Sequence, residues 1–282
     1  MKKIFKILAV SFFMIGMIAC DKIEEPYFKE NNEVSEQVLL SAEDTLDWVN
    51  EKVVLLEDYT GVKCVNCPAA AEKAHSLQEQ YGHQLVVLSV HAGSNADPFP
   101  PTSGYPDFRT EQGEEWNTYF AITANPKGLI NRVSNGGVFF YNDDDWANVV
   151  AEEVVGQPDI RLLTALEYDD ASRELKVSAY SKFLTEFSDL YNVTVCIMED
   201  NIVGKQVGQS DDYVHRHVFR GTMNGTWGTE LNDAVIAPET EIVKSFSIKL
   251  DEKFNVDNCY IIAFVANRDT KEILQVTEKK IK

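Results

Sequence analysis

Residues 53–91 constrain the fold of this chain more than any other stretch, because they have the pattern of a strand, a helix and a second strand. Residues 53–56 and 85–90 are short apolar runs without polar alternation, which is typical of parallel strands buried on both faces. Strong helix formers fill the sequence between them, from Pro68 at the predicted first turn to Gly82 at the predicted end. The stretch therefore predicts a βαβ unit.

Two cysteines lie in the turn after the first predicted strand. Cys64 and Cys67 have the C-x-x-C spacing of a redox pair, which puts their sulfur atoms within bridging distance. A helix N-terminus carries partial positive charge and unpaired N–H groups, so it favours the thiolate of Cys64, and Lys63 adds to the effect. We expect Cys64 to be the exposed attacking thiol and Cys67, beneath it, to be the resolving thiol.

Other interpretations of this cysteine pair point to different chemistry. A zinc site would need two more ligands at matching spacing, and the remaining cysteines lie far along the chain. Haem attachment would need a histidine where Pro68 stands. We therefore predict no metal and no cofactor. A permanently oxidised structural disulfide remains the alternative to a redox pair.

The first residues indicate export. Residues 1–19 combine three lysines with a short apolar run and end in small residues before Cys20. This segment resembles a bacterial lipoprotein signal, which implies that Cys20 is lipidated, becomes the mature N-terminus and attaches the protein to a membrane. An uncleaved anchor helix is the alternative. In either case the thiols face an oxidising compartment.

Residues 20–35 are polar and charged, which favours a flexible tether. Their acidic cluster of Asp21, Glu24 and Glu25 is similar to the surface-export signals of lipoproteins in some Gram-negative anaerobes. The formal net charge of −19 argues against nucleic acid or an anionic lipid surface as partners.

The first domain is predicted to extend over residues 36–156. After the βαβ unit comes a proline-rich loop at 92–110, which leaves the carboxyl end of a parallel strand and is expected to border the dithiol. His91 lies at the same strand end as a candidate proton carrier, with a structural role as the alternative. Further elements are then predicted in the order helix 111–122, Pro126, strand 128–133, an Asn135-Gly136 turn, strand 138–140 and helix 143–155.

Residues 53–155 resemble thioredoxin. Cys64 and Cys67 match its active-site cysteines, Pro126 matches its cis-proline, and Asp58 matches its buried acid. The resemblance implies that Pro126 packs beside the disulfide and helps hold the substrate strand, and that Asp58 accepts a proton as the resolving thiol ionises. The chain departs from the family pattern in its Val65-Asn66 dipeptide, which affects the reduction potential and leaves the direction of electron flow open.

Residues 157–282 change to a period of two, which predicts an antiparallel, immunoglobulin-like β-sandwich. Cys196 and Cys259 each fall inside a predicted strand and either form a disulfide or pack as buried free thiols. His215 and His217 alternate onto one face of a predicted strand, but without a visible third ligand they favour hydrogen-bonded or exposed histidines over a metal site. The predicted strands are 160–168, 174–183, 191–198, 213–219, 241–250, 259–266 and 273–277.

The chain as a whole resembles the outer membrane protein 28 family of lipoproteins. The matching segments are GVKCVNCP at 61–68, YVHRHVFR at 213–220 and AFVANRDTKEILQV at 263–276. The resemblance implies an outer-membrane lipoprotein, on the periplasmic or cell-surface face, with a thioredoxin-like domain and a β-rich second domain.

Two functions are therefore expected. The first is thiol-disulfide exchange on exported proteins, through Cys64 and Cys67 with Pro126, Asp58 and His91. The second is a non-enzymatic surface binding or adhesion module in which the bridge is inert and the sandwich is the working face.

Overall fold

The computed structural model describes residue 23, residues 32–41 and residues 50–282. The predicted signal segment, Cys20 and the acidic cluster that follows it lie outside the described residues. None of the described helices is long and apolar enough to cross a membrane.

The described residues form fourteen strands and three α-helices, and they are mostly β-sheet. The helices are α1 (Cys67–Tyr81), α2 (Glu111–Tyr119) and α3 (Trp146–Glu153). The strands are β1 (Glu33–Val34), β2 (Val54–Thr60), β3 (Leu85–His91), β4 (Lys127–Ile130), β5 (Ile160–Asp169), β6 (Glu174–Phe183), β7 (Tyr191–Glu199), β8 (Ile202–Gly204), β9 (Tyr213–His215), β10 (Val218–Thr222), β11 (Thr229–Glu230), β12 (Glu241–Lys249), β13 (Cys259–Asn267) and β14 (Ile273–Lys280).

The predicted βαβ unit is present as β2, α1 and β3. The two strands pair in parallel with Val54 opposite Leu85, and every residue of both strands is buried. Helix α1 has its proline in the first turn and ends at Tyr81, and Gly82 after it has a φ of 57°, which glycine adopts easily. Both strands are buried on both faces, as the apolar runs 53–56 and 85–90 indicated, and the buried part of β2 also includes Glu57 and Asp58.

One sheet joins strands from both sides of residue 156. Its order is β14-β13-β7-β10-β3-β2-β4, with β11 beside β7. The junction is a parallel contact between β10 and β3, where Val218 lies opposite Ser89 and the Ser89 N–H donates to the His217 carbonyl over 2.7 Å. The domain boundary after residue 156 stays a prediction, but the strands on its two sides hydrogen-bond within one sheet.

A second sheet of order β1-β12-β6-β5 packs against the first. The core between them includes Phe183 and Phe246 from the second sheet and Val195 and Ile261 from the first, all fully buried. The β-rich character expected of residues 157–282 is confirmed. Strand β1 lies in the segment predicted as a tether, and its Val34 pairs with Ser245.

Three predicted strands are wrong in their extent. The single strand expected over 213–219 is split into β9 and β10, because His217 adopts a left-handed φ of 57° between them. Strand β4 ends at Ile130 rather than Val133, because the next two residues also have positive φ. The expected strand 138–140 is reduced to isolated bridges at Val138 and Tyr141.

The disulfide considered for Cys196 and Cys259 is also wrong, since both cysteines are free and buried. Cys196 on β7 lies opposite Ile262 of β13, three residues from Cys259. Successive side chains of a strand point to opposite faces, so the two thiols lie on opposite sides of the sheet. The alternative of buried free cysteines is the one that the structure contains.

A buried ion pair joins β2 of the larger sheet to the residues that follow its edge strand β4. The Arg132 guanidinium donates from Nε to Glu57 Oε2 over 2.8 Å and from Nη2 to Oε1 over 2.6 Å, and both side chains are about 2% exposed or less. Its Cζ atom lies 4.6 Å from the ring centroid of Trp116 and 5.1 Å from that of Phe264. The bidentate bond and the aromatic contacts compensate the cost of removing two charges from water.

Replacing Arg132 with methionine should destabilise the protein by roughly 3–5 kcal/mol, because the Glu57 carboxylate is then buried without its partner. The double variant Glu57→Met and Arg132→Met should recover part of that loss, and denaturant unfolding measures both. Lys182→Met is the matched control, since its pair with Glu239 is 28% and 66% exposed and should contribute at most about 1 kcal/mol. A double variant less stable than Arg132→Met alone would contradict the argument.

Candidate functional site

The predicted dithiol is a disulfide. Cys64 and Cys67 are bonded, with their Cα atoms 5.4 Å apart. Cys67 is the first residue of α1, and its backbone N–H donates to Cys64 Sγ over 3.1 Å. A thiolate on Cys64 would accept the same hydrogen bond. The N-terminus of α1 therefore lies next to this sulfur, as predicted, where it can stabilise a negative charge.

Both cysteines are buried, and the expectation that Cys64 would be exposed is wrong. Cys64 is 4% exposed and Cys67 is 2% exposed, whereas Val65 between them is 65% exposed. The turn before the bridge is packed tightly: a Cβ atom at Gly61 would overlap the backbone of Asn95, and Lys63 N–H donates to the Asn95 carbonyl over 2.9 Å. A partner therefore meets Val65 before it meets either sulfur.

Asp58 lies on β2 and is fully buried. Neither of its carboxylate oxygens has a hydrogen-bond partner among the described residues. Burial, together with a smaller effect of the negative charge of Asp143, raises the pKa of Asp58 from 3.8 to about 7. A carboxyl group that titrates near neutral pH can both accept and donate a proton under ordinary conditions.

A small cavity of about 20 Å³ connects this acid to the bridge. That volume is close to the space of one water molecule. The cavity brings together three predicted site residues, Asp58, Cys67 and His91. Its lining consists of Asp58, Thr60, Cys67, Pro68, Ala71, Ser89, His91, Gln206, Tyr213, His215 and Arg216.

Pro126 does not line this cavity. Its peptide bond with Asn125 is cis. The side chain of Asn125 accepts a hydrogen bond from Asn95 Nδ2 over 3.2 Å, and Asn95 in turn contacts the turn before the bridge through Lys63. Pro126 is thus connected to the dithiol turn through neighbouring residues.

Two buried histidines border the acid. The rings of His91 and His215 have centroids 5.9 Å apart and both pack edge-on against Phe108. Burial lowers the pKa of His91 well below its usual value and lowers that of His215 to about 4. Both rings are therefore neutral at neutral pH, and the Nδ1 of His91 and the Nε2 of His215 have no hydrogen-bond partner within the described part of the chain.

Among the lining residues that were not predicted for this site are Gln206, Tyr213, His215 and Arg216. They come from the β8–β9 hairpin, more than 130 residues along the chain from the cysteines. The sequence signal for these residues was the run of aromatic and basic residues at 213–220. The alternation of these residues predicted one face of a strand, however, and not a wall of the dithiol site. Across the described residues, no group of three or more His, Cys, Asp and Glu side chains is arranged to hold a metal ion.

The proline-rich loop at 92–110 borders the dithiol turn as expected. Phe99 stacks on Tyr105 with ring centroids 4.2 Å apart, and the Lys63 ammonium lies 5.1 Å from the Phe99 centroid. Lys205 Nζ donates to the Ser103 carbonyl over 3.1 Å, so the loop also contacts the β8–β9 hairpin. The dithiol turn lies between these two segments.

More than half of the chain matches the sequence profile of a known protein family. The sequence profile of the family described as outer membrane protein Omp28 matches residues 114–282. The chain belongs to the Omp28 family. This confirms both the predicted family and the predicted location in the outer membrane. The matched residues begin beyond the dithiol, so membership of the Omp28 family carries no information about the bridge.

Solved structures resemble this Omp28 family member in fold. HBP35 of Porphyromonas gingivalis is 18% identical, with a TM-score of 0.65 over 83% of this chain and 76% of that chain. A protein from Agrobacterium tumefaciens is 13% identical, with a TM-score of 0.55 over 83% and 97% of the two chains. At such identities the likeness shows the fold alone.

A domain of the outer membrane lipoprotein Omp28 from Porphyromonas gingivalis is 25% identical, with a TM-score of 0.32 over 45% of this chain and 92% of that domain. No curated protein matches the chain.

Asp58→Asn should stabilise the protein at neutral and alkaline pH but not in acid. The folded protein holds the Asp58 proton up to a pKa of about 7, whereas the unfolded chain releases it near 3.8. The wild type therefore loses stability relative to the variant as pH rises from about 4 to 7, by roughly 2–4 kcal/mol in total. Denaturant unfolding at pH 4 and pH 8 measures the difference. An equal effect of the substitution at both pH values would show that Asp58 does not titrate as described.

Proposed function

We propose that this protein exchanges disulfides with the thiols and disulfides of exported proteins. The observation that carries the proposal is the bridge at the N-terminus of α1, which lies beside a buried carboxyl group without a partner in the described region. Cys64 forms the mixed disulfide, Cys67 resolves it and Asp58 exchanges the proton. His91, as a neutral ring on the same cavity, relays that proton without storing it, and Pro126 helps to hold the substrate chain.

The proposal extends to the fold around the bridge. We infer that residues 53–155 form a thioredoxin-like unit, in which β2, α1, β3, α2, β4 and α3 follow one another along the chain. The parallel pairing of β2 with β3 and the antiparallel pairing of β2 with β4 support this assignment. In this unit the bridge follows the first strand and β4 follows the cis peptide bond at Pro126.

The oxidised form can accept two electrons from a substrate dithiol. A substrate thiolate attacks Cys64 Sγ, the Cys64–Cys67 bond breaks, and the Cys67 sulfur leaves and takes the proton from Asp58. The second substrate thiolate then attacks the substrate sulfur of the mixed disulfide and releases Cys64 as a thiolate, which the N-terminus of α1 stabilises. The substrate ends with a disulfide and the protein with two reduced cysteines. Reduction of a substrate disulfide is the same sequence in reverse.

A second function is favoured by one observation, the burial of both sulfurs. At 4% and 2% exposure, Cys64 and Cys67 have the accessibility of a structural disulfide. In that case the protein is a surface binding or adhesion module, and the bridge only fixes the start of α1. The proposed attachment through a lipid on Cys20 is common to both functions.

Replacing Cys67 with alanine distinguishes the two functions. Without the resolving thiol, the Cys64 thiolate should remain covalently attached to substrates, which appear as reducible high-mass adducts after export in a bacterial envelope. Cys64→Ala is the matched control and should form no adducts. A binding module would form adducts in neither variant and would keep its surface function in both.

The equilibrium of the Cys64–Cys67 pair with glutathione is the second measurement. A potential in the range of about −120 to −270 mV belongs to the known exchange proteins. A value far below about −300 mV would contradict thiol exchange, because structural disulfides resist reduction by glutathione.

A further inference from the structure

The turn that carries Cys64 is hydrogen-bonded to residues that lie more than 140 positions away in the sequence. Cys64 N–H donates to the Gly61 carbonyl over 3.0 Å, which closes the turn. Gln206 Nε2 then donates to the Cys64 carbonyl over 2.9 Å and to the Gly61 carbonyl over 3.3 Å. The next residue, Val207, donates its N–H to the Val62 carbonyl over 3.0 Å. Three carbonyl groups of the turn therefore accept hydrogen bonds from two consecutive residues.

Gln206 is itself buried and held by hydrogen bonds of its own segment. Its side chain is 4% exposed, and its own carbonyl accepts a hydrogen bond from Gln209 N–H over 3.0 Å. Of the two residues just before it, Lys205 bonds to the 92–110 loop and Gly204 is fixed opposite Tyr213 by the β8–β9 pairing. Removing the buried Gln206 amide takes a donor away from the Cys64 carbonyl and leaves the Gly61 carbonyl with only the Cys64 N–H as its donor in the turn.

The position of Gln206 also connects it to the reacting sulfurs. Its side chain lines the cavity that contains Asp58 and Cys67. By holding the Cys64 backbone, it keeps Cys64 Sγ 3.1 Å from the Cys67 N–H, which is the contact that a thiolate on Cys64 would use.

We propose that Gln206 is a positioning residue for Cys64, supplied to the dithiol site by the C-terminal half of the chain. This inference rests on the proposed thiol exchange for its biological use. Gln206 acts through the backbone of the turn, by its hydrogen bonds to the Gly61 and Cys64 carbonyls. The dithiol site is then incomplete in a fragment that ends before β8.

Gln206→Met tests the proposal, because methionine keeps the length and volume of glutamine but cannot donate a hydrogen bond. In the reduced protein, the pH midpoint of Cys64 alkylation should rise by about 0.5–1 unit, since the thiolate loses the fixed contact with α1. At pH 7 the disulfide should become roughly threefold to tenfold harder to reduce with glutathione, since the reduced form loses the same stabilisation. Gln206→Ala, which is smaller, should shift both quantities in the same direction.

Gln209→Met is the matched control, because Gln209 is exposed on the same segment and its backbone N–H, which the substitution keeps, makes its hydrogen bond to the Gln206 carbonyl. It should leave the alkylation midpoint and the glutathione equilibrium unchanged. Thermal unfolding establishes that each variant is folded. A folded Gln206→Met protein with the wild-type midpoint, or a Gln209→Met protein with an equal shift, would overturn the proposal.

The outcomes for Gln206 and for thiol exchange are separable. If Cys67→Ala captures no substrate but Gln206→Met still shifts the alkylation midpoint, the positioning role stands and the proposed exchange fails. If Cys67→Ala captures substrates and the midpoint does not move in either Gln206 variant, the exchange stands and the positioning role fails.

Discussion

The buried pair of Glu57 and Arg132 fixes the arrangement on which the dithiol site depends. Glu57 and Asp58 are neighbours on β2, so their side chains point to opposite faces of the sheet. The Arg132 guanidinium pairs with Glu57 and packs against aromatic rings, which fixes Glu57 on one face of the sheet. Asp58 therefore points to the other face, which carries α1 and the bridge. If the register of β2 shifted by one residue, Glu57 and Asp58 would change faces of the sheet. The Glu57 carboxyl group would then point away from Arg132.

The site that follows from this arrangement is assembled from distant parts of the chain. The βαβ unit supplies the bridge, Asp58 and His91, and the β8–β9 hairpin supplies the remaining polar wall through Gln206 and His215. The hairpin is held in place because the chain continues from it through His217 into β10, which is inserted beside β3. The segment from β8 to β10 therefore both completes the larger sheet and lines the dithiol site.

Local patterns predicted most of the backbone, and long-range contacts account for what was missed. Strand β6 has the predicted bounds of 174–183, and α1 begins at the cysteine turn, because alternation and helix-terminal signals act within a few residues. The burial of Cys64, the break at His217 and the role of Gln206 are set by contacts across as many as 145 residues. No periodicity within a strand or helix encodes such contacts.

The parallel insertion of β10 beside β3 has a consequence for how the chain matures. When only the first half of the polypeptide is available, one hydrogen-bonding edge of β3 is open, because its neighbour on that side is residues 218–222. Open edges of this kind invite pairing with other chains, and their closure by a distant segment makes folding slow. A chain that lacks residues 218–222 therefore presents an unpaired strand edge, which favours association with other chains until the C-terminal half completes the sheet.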